Sequence, residues 1–124
     1  MSESLSQRPS PDELFQLHAK IRCVAFSTDG HVIFSQMRPG IASYTSNAED
    51  KAFMEFGPVI LSGVAERLTE SGGAGRLHNI IVNFDKDSVL LMKFRNGYLA
   101  LSVDRPYAYS VFQEIDARLR QLAQ

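Results

Sequence analysis

The apolar residues of this chain recur at helical spacing in three stretches and in strand-like runs in five, which predicts the order α-β-β-α-β-β-β-α. The first helix is predicted to begin after Ser10, because Ser10 and Glu13 match a capping box and Pro11 suits the first helical position. The positions that would form one face of this helix are Leu14, Leu17, His18 and Ile21. Their spacing predicts a short amphipathic helix.

A β-hairpin is predicted directly after this helix. Ile21 to Thr28 and His31 to Met37 are rich in β-branched and aromatic residues, which is typical of strands. Asp29-Gly30 separates the two stretches, and an Asp-Gly pair provides the positive φ angles of a tight hairpin turn. Pro39-Gly40 is expected to end the second strand.

The longest predicted element is the second helix. Ser46 and Glu49 match another capping box. The apolar positions that follow on one helical face are Ala52, Phe53, Phe56, Val59, Ile60, Gly63, Val64 and Leu68. Gly57-Pro58 interrupts this face, so a kink or break is expected near Phe56. The glycine-rich segment 71–75 should end the helix.

A three-stranded meander is predicted next. Leu77 to Phe84 is largely apolar, so both faces of this strand are expected to be covered. Asp85-Lys86-Asp87 forms a turn before the strand from Ser88 to Phe94. Asn96-Gly97 is the strongest hairpin signal in the sequence, and it leads into the last strand, Tyr98 to Val103.

A third helix closes the chain. Asp104 is predicted to cap a helix that starts near Pro106. Its buried stripe would be Ala108, Phe112, Ile115, Leu119 and Leu122. The separate hairpin and the meander together predict one five-stranded antiparallel sheet flanked by helices, an α+β sandwich.

Length and composition limit the class of protein. The 124 residues fit one domain, predicted at residues 10 to 124, and the polar residues 1 to 9 are predicted to be a flexible N-terminal tail. Thirteen basic and fourteen acidic residues give a net charge of −1, which argues against a nucleic-acid binder. Cys23 is the only cysteine, so no internal disulfide forms. No signal-peptide pattern and no membrane-length apolar run is present, so a cytoplasmic protein without membrane insertion is expected.

The residue types that catalyse reactions or bind metals form no recognisable motif. Cys23 follows Arg22, which should point to the opposite face of the strand, and a small buried side chain is a better interpretation than a nucleophile. The histidines fall in three different elements and lack the close spacing of zinc ligands. These histidines are His18, His31 and His78.

Two further features have simpler explanations than chemistry. Asp85 and Asp87 could bind a cation or act as paired carboxylates, but aspartate is also the ordinary residue of turns. The segment 71–76 is rich in glycine, yet it runs from a helix into a strand and lacks the Lys-Ser/Thr of a phosphate-binding loop. The sequence therefore predicts no catalytic residues, no cofactor and no metal, and a protein that is not an enzyme.

The element order and several segments resemble the Roadblock/LC7 family. The resemblance covers about residues 10 to 122 and includes the first short helix, the hairpin CVAFSTDGHVIFSQ and the long helix after it. The meander LHNIIVNFDKDSVLLMKFRNGYLALSVD and the closing helix follow in the family's order. Gly57-Pro58 departs from the pattern, because it is unexpected in the long helix.

This resemblance implies a profilin-like fold that pairs as a dimer, with another copy of the chain or with a related Roadblock chain. The long helices of two subunits would lie together, and the third strand of each, about Arg76 to Phe84, would meet its twin. The resemblance also implies a non-catalytic scaffold or regulator of a small Ras-like GTPase, such as an MglB-like GTPase-activating or adaptor partner.

The predicted dimer interface combines apolar helix positions with the third strand. An apolar helix face larger than one sheet needs, and an apolar edge strand, both favour burial against a second subunit. The predicted interface residues are Phe53, Phe56, Ile60, Val64, His78, Ile80 and Val82. A shift of one residue in the strand would exchange its two faces, so either face of the strand fits this prediction.

A second hypothesis is a small-molecule sensor, because profilin-like sandwiches can hold ligands between helix and sheet. It requires a cavity of roughly a few hundred Å³. An enzyme is a third and weaker interpretation, since no set of nucleophile, base and orienting residue is recognisable.

Overall fold

The computed structural model describes residues 8–28, 30–44, 57, 67, 73, 75, 77–106 and 109–123. The elements in this part of the chain are α1 (Pro11–Phe15), β1 (Ile21–Thr28), β2 (His31–Met37), β3 (Ile80–Asn83), β4 (Asp87–Phe94), β5 (Gly97–Asp104) and α2 (Tyr109–Ala123). Gly57 and Arg67 are helical. The rest of the predicted long helix, including its caps, its kink and its apolar face, lies outside the described residues.

The predicted N-terminal cap of α1 is confirmed. The Ser10 hydroxyl accepts a hydrogen bond from the Glu13 backbone N–H at 3.1 Å, and Pro11 occupies the first turn. The helix is shorter than the apolar spacing predicts, because it ends at Phe15 and Ile21 already belongs to β1. Leu17 is still buried, so the helical periodicity identified buried positions beyond the end of the helix.

The predicted hairpin has the observed bounds of β1 and β2, and Gly30 has a φ of +77°. The pairing contains one irregularity, since Phe26 faces Phe34 whereas Ser27 faces Val32. Ile33 is therefore the extra residue of a β-bulge in β2.

The turn between β4 and β5 lies one residue earlier than predicted. Phe94 pairs with Gly97, so Arg95 and Asn96 form the two-residue loop, and Arg95 has a positive φ of 55°. Gly97 is instead the first residue of β5. A Cβ at this position would lie 2.5 Å from Cζ of Phe26 and would also overlap the Ser27 carbonyl oxygen. Close packing against β1, rather than the turn, requires this glycine.

The sheet has the spatial order β2-β1-β5-β4-β3 with antiparallel pairing throughout, so β2 and β3 are its edges. The larger core lies on the face covered by α1 and α2. Its fully buried members include Leu14, Ile21, Val24, Phe26, Leu90, Phe94, Leu99, Leu101, Ile115 and Leu119. This arrangement confirms the predicted α+β sandwich around a five-stranded antiparallel sheet.

The second face of the sheet carries smaller side chains. Its buried members are Ala25, Val89, Leu91 and Ala100. A Cβ on Gly57 would lie 3.2 Å from Cδ2 of Leu91, so the helical backbone at Gly57 packs directly on this face. The position of Gly57 in the predicted long helix therefore matches a close helix–sheet contact.

The closing helix also differs from the prediction at its start. α2 begins at Tyr109 rather than near Pro106. Asp104 does not cap it, because Asp104 is the last residue of β5 and its carboxylate binds Arg22 and Tyr44. Of the predicted stripe, Phe112, Ile115 and Leu119 are buried and Leu122 packs against the core, whereas Ala108 lies outside the described residues.

Candidate functional site

The strand residues of the predicted interface lie at the β3 edge of the sheet. β3 comprises four residues rather than the predicted eight, and its burial is intermediate except at Asn83. Ile80 and Val82 are partly buried and pack against the cluster on the second face. His78 precedes the strand and is exposed. The structure therefore assigns Ile80 and Val82 to one face, and Ile81 packs against the core on the other.

The β3 edge is regular enough to accept another strand. The four residues from Ile80 to Asn83 pair with β4 without any shift in register. On a sheet edge, alternate backbone N–H and C=O groups point away from the sheet. The second face that carries Ile80 and Val82 is also the face on which the backbone at Gly57 packs.

The helix residues of the predicted interface are Phe53, Phe56, Ile60 and Val64, and they lie outside the described residues. The structure places only their neighbour Gly57, which contacts Leu91.

Sequence reasoning missed a polar cluster at one end of the sheet, centred on Arg22. The Arg22 side chain is only 7% exposed, and its Nη1 donates to Asp104 Oδ1 at 2.6 Å. Its Nη2 donates to the Ala42 carbonyl oxygen at 2.6 Å, and its Cζ lies 3.9 Å from the centre of the Tyr44 ring. A buried arginine thus attaches the segment after β2 to the end of β5. The signal in the sequence for this cluster was Arg22, the charged residue of β1.

Tyr44 completes this cluster on the solvent side. Its hydroxyl donates to Asp104 Oδ1 at 2.8 Å, and Lys86 Nζ lies 5.4 Å from the ring centre. The hydrogen bond to Asp104 raises the pKa of Tyr44 above its ordinary value of 10.0. A raised pKa in the folded state means that this contact stabilises the fold below pH 10 and that its contribution is lost as the pH rises through the raised pKa.

A cleft of about 290 Å³ lies beside this cluster, where β1 begins and β2 and β5 end. The residues that line it are Ala19, Lys20, Ile21, Arg22, Arg38, Ile41, Asp104, Pro106 and Val111. Its volume is in the range that the small-molecule hypothesis requires, but it lies at the end of the sheet rather than between a helix and a sheet face.

The other residues considered for chemistry have separate surroundings. His18 Nε2 contacts Glu114 Oε2 at 2.9 Å, and its Nδ1 accepts a hydrogen bond from the Lys20 backbone. His31 is exposed, and Cys23 is partly buried on β1. Within the described part of the chain, no three side chains of the His, Cys, Asp and Glu types group so that they could hold a metal ion.

The sequence predicts no membrane-spanning segment, and the helices of the structure can be compared with this prediction. No helix among the described residues has the length and apolarity that crossing a bilayer requires.

Comparison with known proteins identifies the fold. No family profile and no curated sequence matches this chain. MglB from Myxococcus xanthus superposes with a TM-score of 0.63 over 89% of this chain and 85% of that chain, at 18% identity. A Roadblock/LC7 domain from Streptomyces avermitilis gives a TM-score of 0.64 over 90% of this chain and 88% of that chain, at 14% identity. An MglB with a tetrameric arrangement gives a TM-score of 0.59 over 90% and 83%, at 10% identity. The chain has the Roadblock/LC7 fold, which confirms the resemblance predicted from the sequence.

Proposed function

We propose that this protein is a cytoplasmic, non-catalytic scaffold or regulator of a small Ras-like GTPase and that it acts as a dimer. The proposal starts from the Roadblock/LC7 fold and from the position of β3 at the end of the strand order. The observation that carries the proposal is the likeness in fold to MglB and to a Roadblock/LC7 domain over nearly the whole chain. The pairing partner is a second copy of the chain or a related Roadblock chain.

Differences between the two edges of the sheet support dimerisation through β3. β2 contains the bulge at Ile33, and bulges at sheet edges hinder the addition of another strand. β3 is regular and uncharged, and it contains the partly buried Ile80 and Val82. A twofold pairing of β3 with its twin would satisfy the outward backbone groups and extend the sheet across the dimer.

Placing a charge on β3 should separate the subunits. We expect Val82→Lys to reduce the mass measured by light scattering from about twice 13.8 kDa to that of one chain, because the ammonium group would have to be buried in the new interface. Val82 is only partly buried in a single chain, so the variant should remain folded, which circular dichroism would verify.

Val32→Lys is the matched control, since Val32 lies on the opposite edge strand and is 36% exposed. This variant should keep the mass of the dimer. A folded Val82→Lys protein that is still dimeric would contradict pairing through β3. A wild-type chain that is a clean monomer at micromolar concentration would contradict pairing with a second copy of itself.

The GTPase part of the proposal has its own test. We expect immobilised protein to retain a small Ras-like GTPase from host extract in a nucleotide-dependent manner, with a difference between GTP-loaded and GDP-loaded extract identified by mass spectrometry. The purified chain alone should not hydrolyse GTP. Hydrolysis by the chain alone, or the absence of any GTPase from both eluates, would refute this role.

A further inference from the structure

We propose that the cleft at the end of the sheet binds a small organic anion, a carboxylate or phosphate group carried on a compact apolar body. The cleft lies where β1 begins and β2 and β5 end, and no β3 residue lines it. The proposal therefore does not depend on dimerisation through β3.

The charges around the cleft are unequal. Among the described residues, three cationic side chains line it, Lys20, Arg22 and Arg38, against one carboxylate, that of Asp104. Asp104 is engaged with the buried Arg22 at 2.6 Å. Among the described residues, neither Lys20 nor Arg38 forms an ion pair with a carboxylate. The described residues that line the cleft therefore carry an excess of two positive charges.

Within the part of the chain that the structure describes, neutral groups hold Arg38 in place and no carboxylate does so. Its Nε donates to the Ile21 carbonyl oxygen at 2.7 Å, and its Nη2 donates to the carbonyl oxygens of Phe15 at 3.0 Å and His18 at 2.9 Å. The guanidinium also lies 4.9 Å from the centre of the Phe15 ring. These contacts fix the orientation of a partly buried cation and leave its charge uncompensated by a carboxylate in the described residues, so an incoming anion would find it preorganised.

The other residues that line the cleft indicate the chemistry of the part of the ligand that is not acidic. Ile21, Ile41, Pro106 and Val111 give the cleft an apolar surface next to the cations. Low-dielectric walls strengthen the attraction between the cations and an anion. A volume of about 290 Å³ lies at the lower end of the range for small-molecule sites. A ligand with one acidic group and one small apolar group fits this combination better than a bare inorganic anion.

Titrations of the whole protein with phenyl phosphate and with benzoate, followed by two-dimensional ¹H–¹⁵N NMR, test this site. We expect saturable shifts concentrated at the backbone amides of residues 19–22 and 38–41, with a Kd on the order of 1 mM. Sodium chloride at the same ionic strength should not reproduce these shifts. Equal shifts with chloride, or shifts spread over the surface, would overturn the proposal.

The Lys20→Glu variant tests ligand binding without disturbing the fold. Lys20 is exposed, and its only hydrogen bond among the described residues is made by its backbone N–H, so this variant should fold normally. We expect it to weaken phenyl phosphate binding at least tenfold. Lys93→Glu, an identical charge reversal at an exposed position on β4 outside the cleft, should bind like the wild type. Equal binding by Lys20→Glu and wild type would refute the site.

A final titration identifies the source of the acidic group. An acetylated and amidated Glu-Leu-Glu peptide presents the same chemistry as part of a polypeptide. Tighter binding of the peptide than of phenyl phosphate at the same amides indicates an acidic side chain of a partner protein, and the reverse order indicates a free small molecule. If neither the peptide nor phenyl phosphate binds, the proposal is overturned.

Discussion

Replacing Gly97 with alanine is expected to lower the free energy of unfolding by about 3 kcal/mol. The added Cβ would lie 2.5 Å from Cζ of Phe26 and closer still to the Ser27 carbonyl oxygen. The oxygen belongs to the backbone of β1, which pairs with both of its neighbours and cannot move away without disturbing the sheet. Phe26 is fully buried and stacks on Phe34 with ring centres 6.1 Å apart, so its ring also has little room to rotate.

Equilibrium denaturation in urea measures this effect, and Gly73→Ala is the matched control. A Cβ on Gly73 meets nothing within 4 Å, and its φ is not positive. The control should therefore change stability by no more than about 0.5 kcal/mol. A Gly97→Ala protein as stable as the control would contradict the conclusion that the contact between β5 and β1 leaves no room for a Cβ.

Removing the carboxylate of Asp104 is expected to cost about 2 kcal/mol, because Asp104→Ala leaves the buried guanidinium of Arg22 without its counter-ion. The expected cost is below the roughly 3–5 kcal/mol of a broken, fully buried ion pair. The reason is that the Asp104 side chain is 52% exposed, so solvent screens the pair, whereas Arg22 is 7% exposed. The same change also removes the hydrogen bond from the Tyr44 hydroxyl.

A double-mutant cycle with Arg22→Met tests this interpretation. When both charged groups are absent, no buried charge is left unpaired, so the double variant should be more stable than Asp104→Ala alone. Thermal and urea unfolding of the four proteins measures the coupling. Strictly additive losses would show that the ion pair does not stabilise the attachment of the segment after β2.

Local sequence patterns were sufficient to predict the features that depend on residues close together in the sequence. The cap at Ser10, the hairpin bounds on either side of Asp29-Gly30 and the stripe of α2 from Phe112 to Leu122 follow from backbone geometry and side-chain periodicity. All three are observed. The order of elements was also sufficient to indicate the Roadblock/LC7 fold.

Predictions at the ends of elements were less accurate, because tertiary contacts decide them. α1 ends at Phe15 since Ile21 pairs with Val103 in the sheet. The β4–β5 turn centres on Arg95 and Asn96 because Gly97 is needed inside β5, where it contacts β1. In both cases a partner distant in sequence overrides a local preference.

The sequence by itself determined the fold class, the order of the strands along the chain and the buried stripe of α2 from Phe112 to Leu122, because these depend on the spacing of apolar residues. Only the tertiary structure decided which face of β3 carries Ile80 and Val82, and that Arg22, Tyr44 and Asp104 meet. It also decided that Lys20 and Arg38 line one cleft. These residues lie on different strands and loops, and no spacing in the sequence encodes the distance between them. Sheet pairing brings them together.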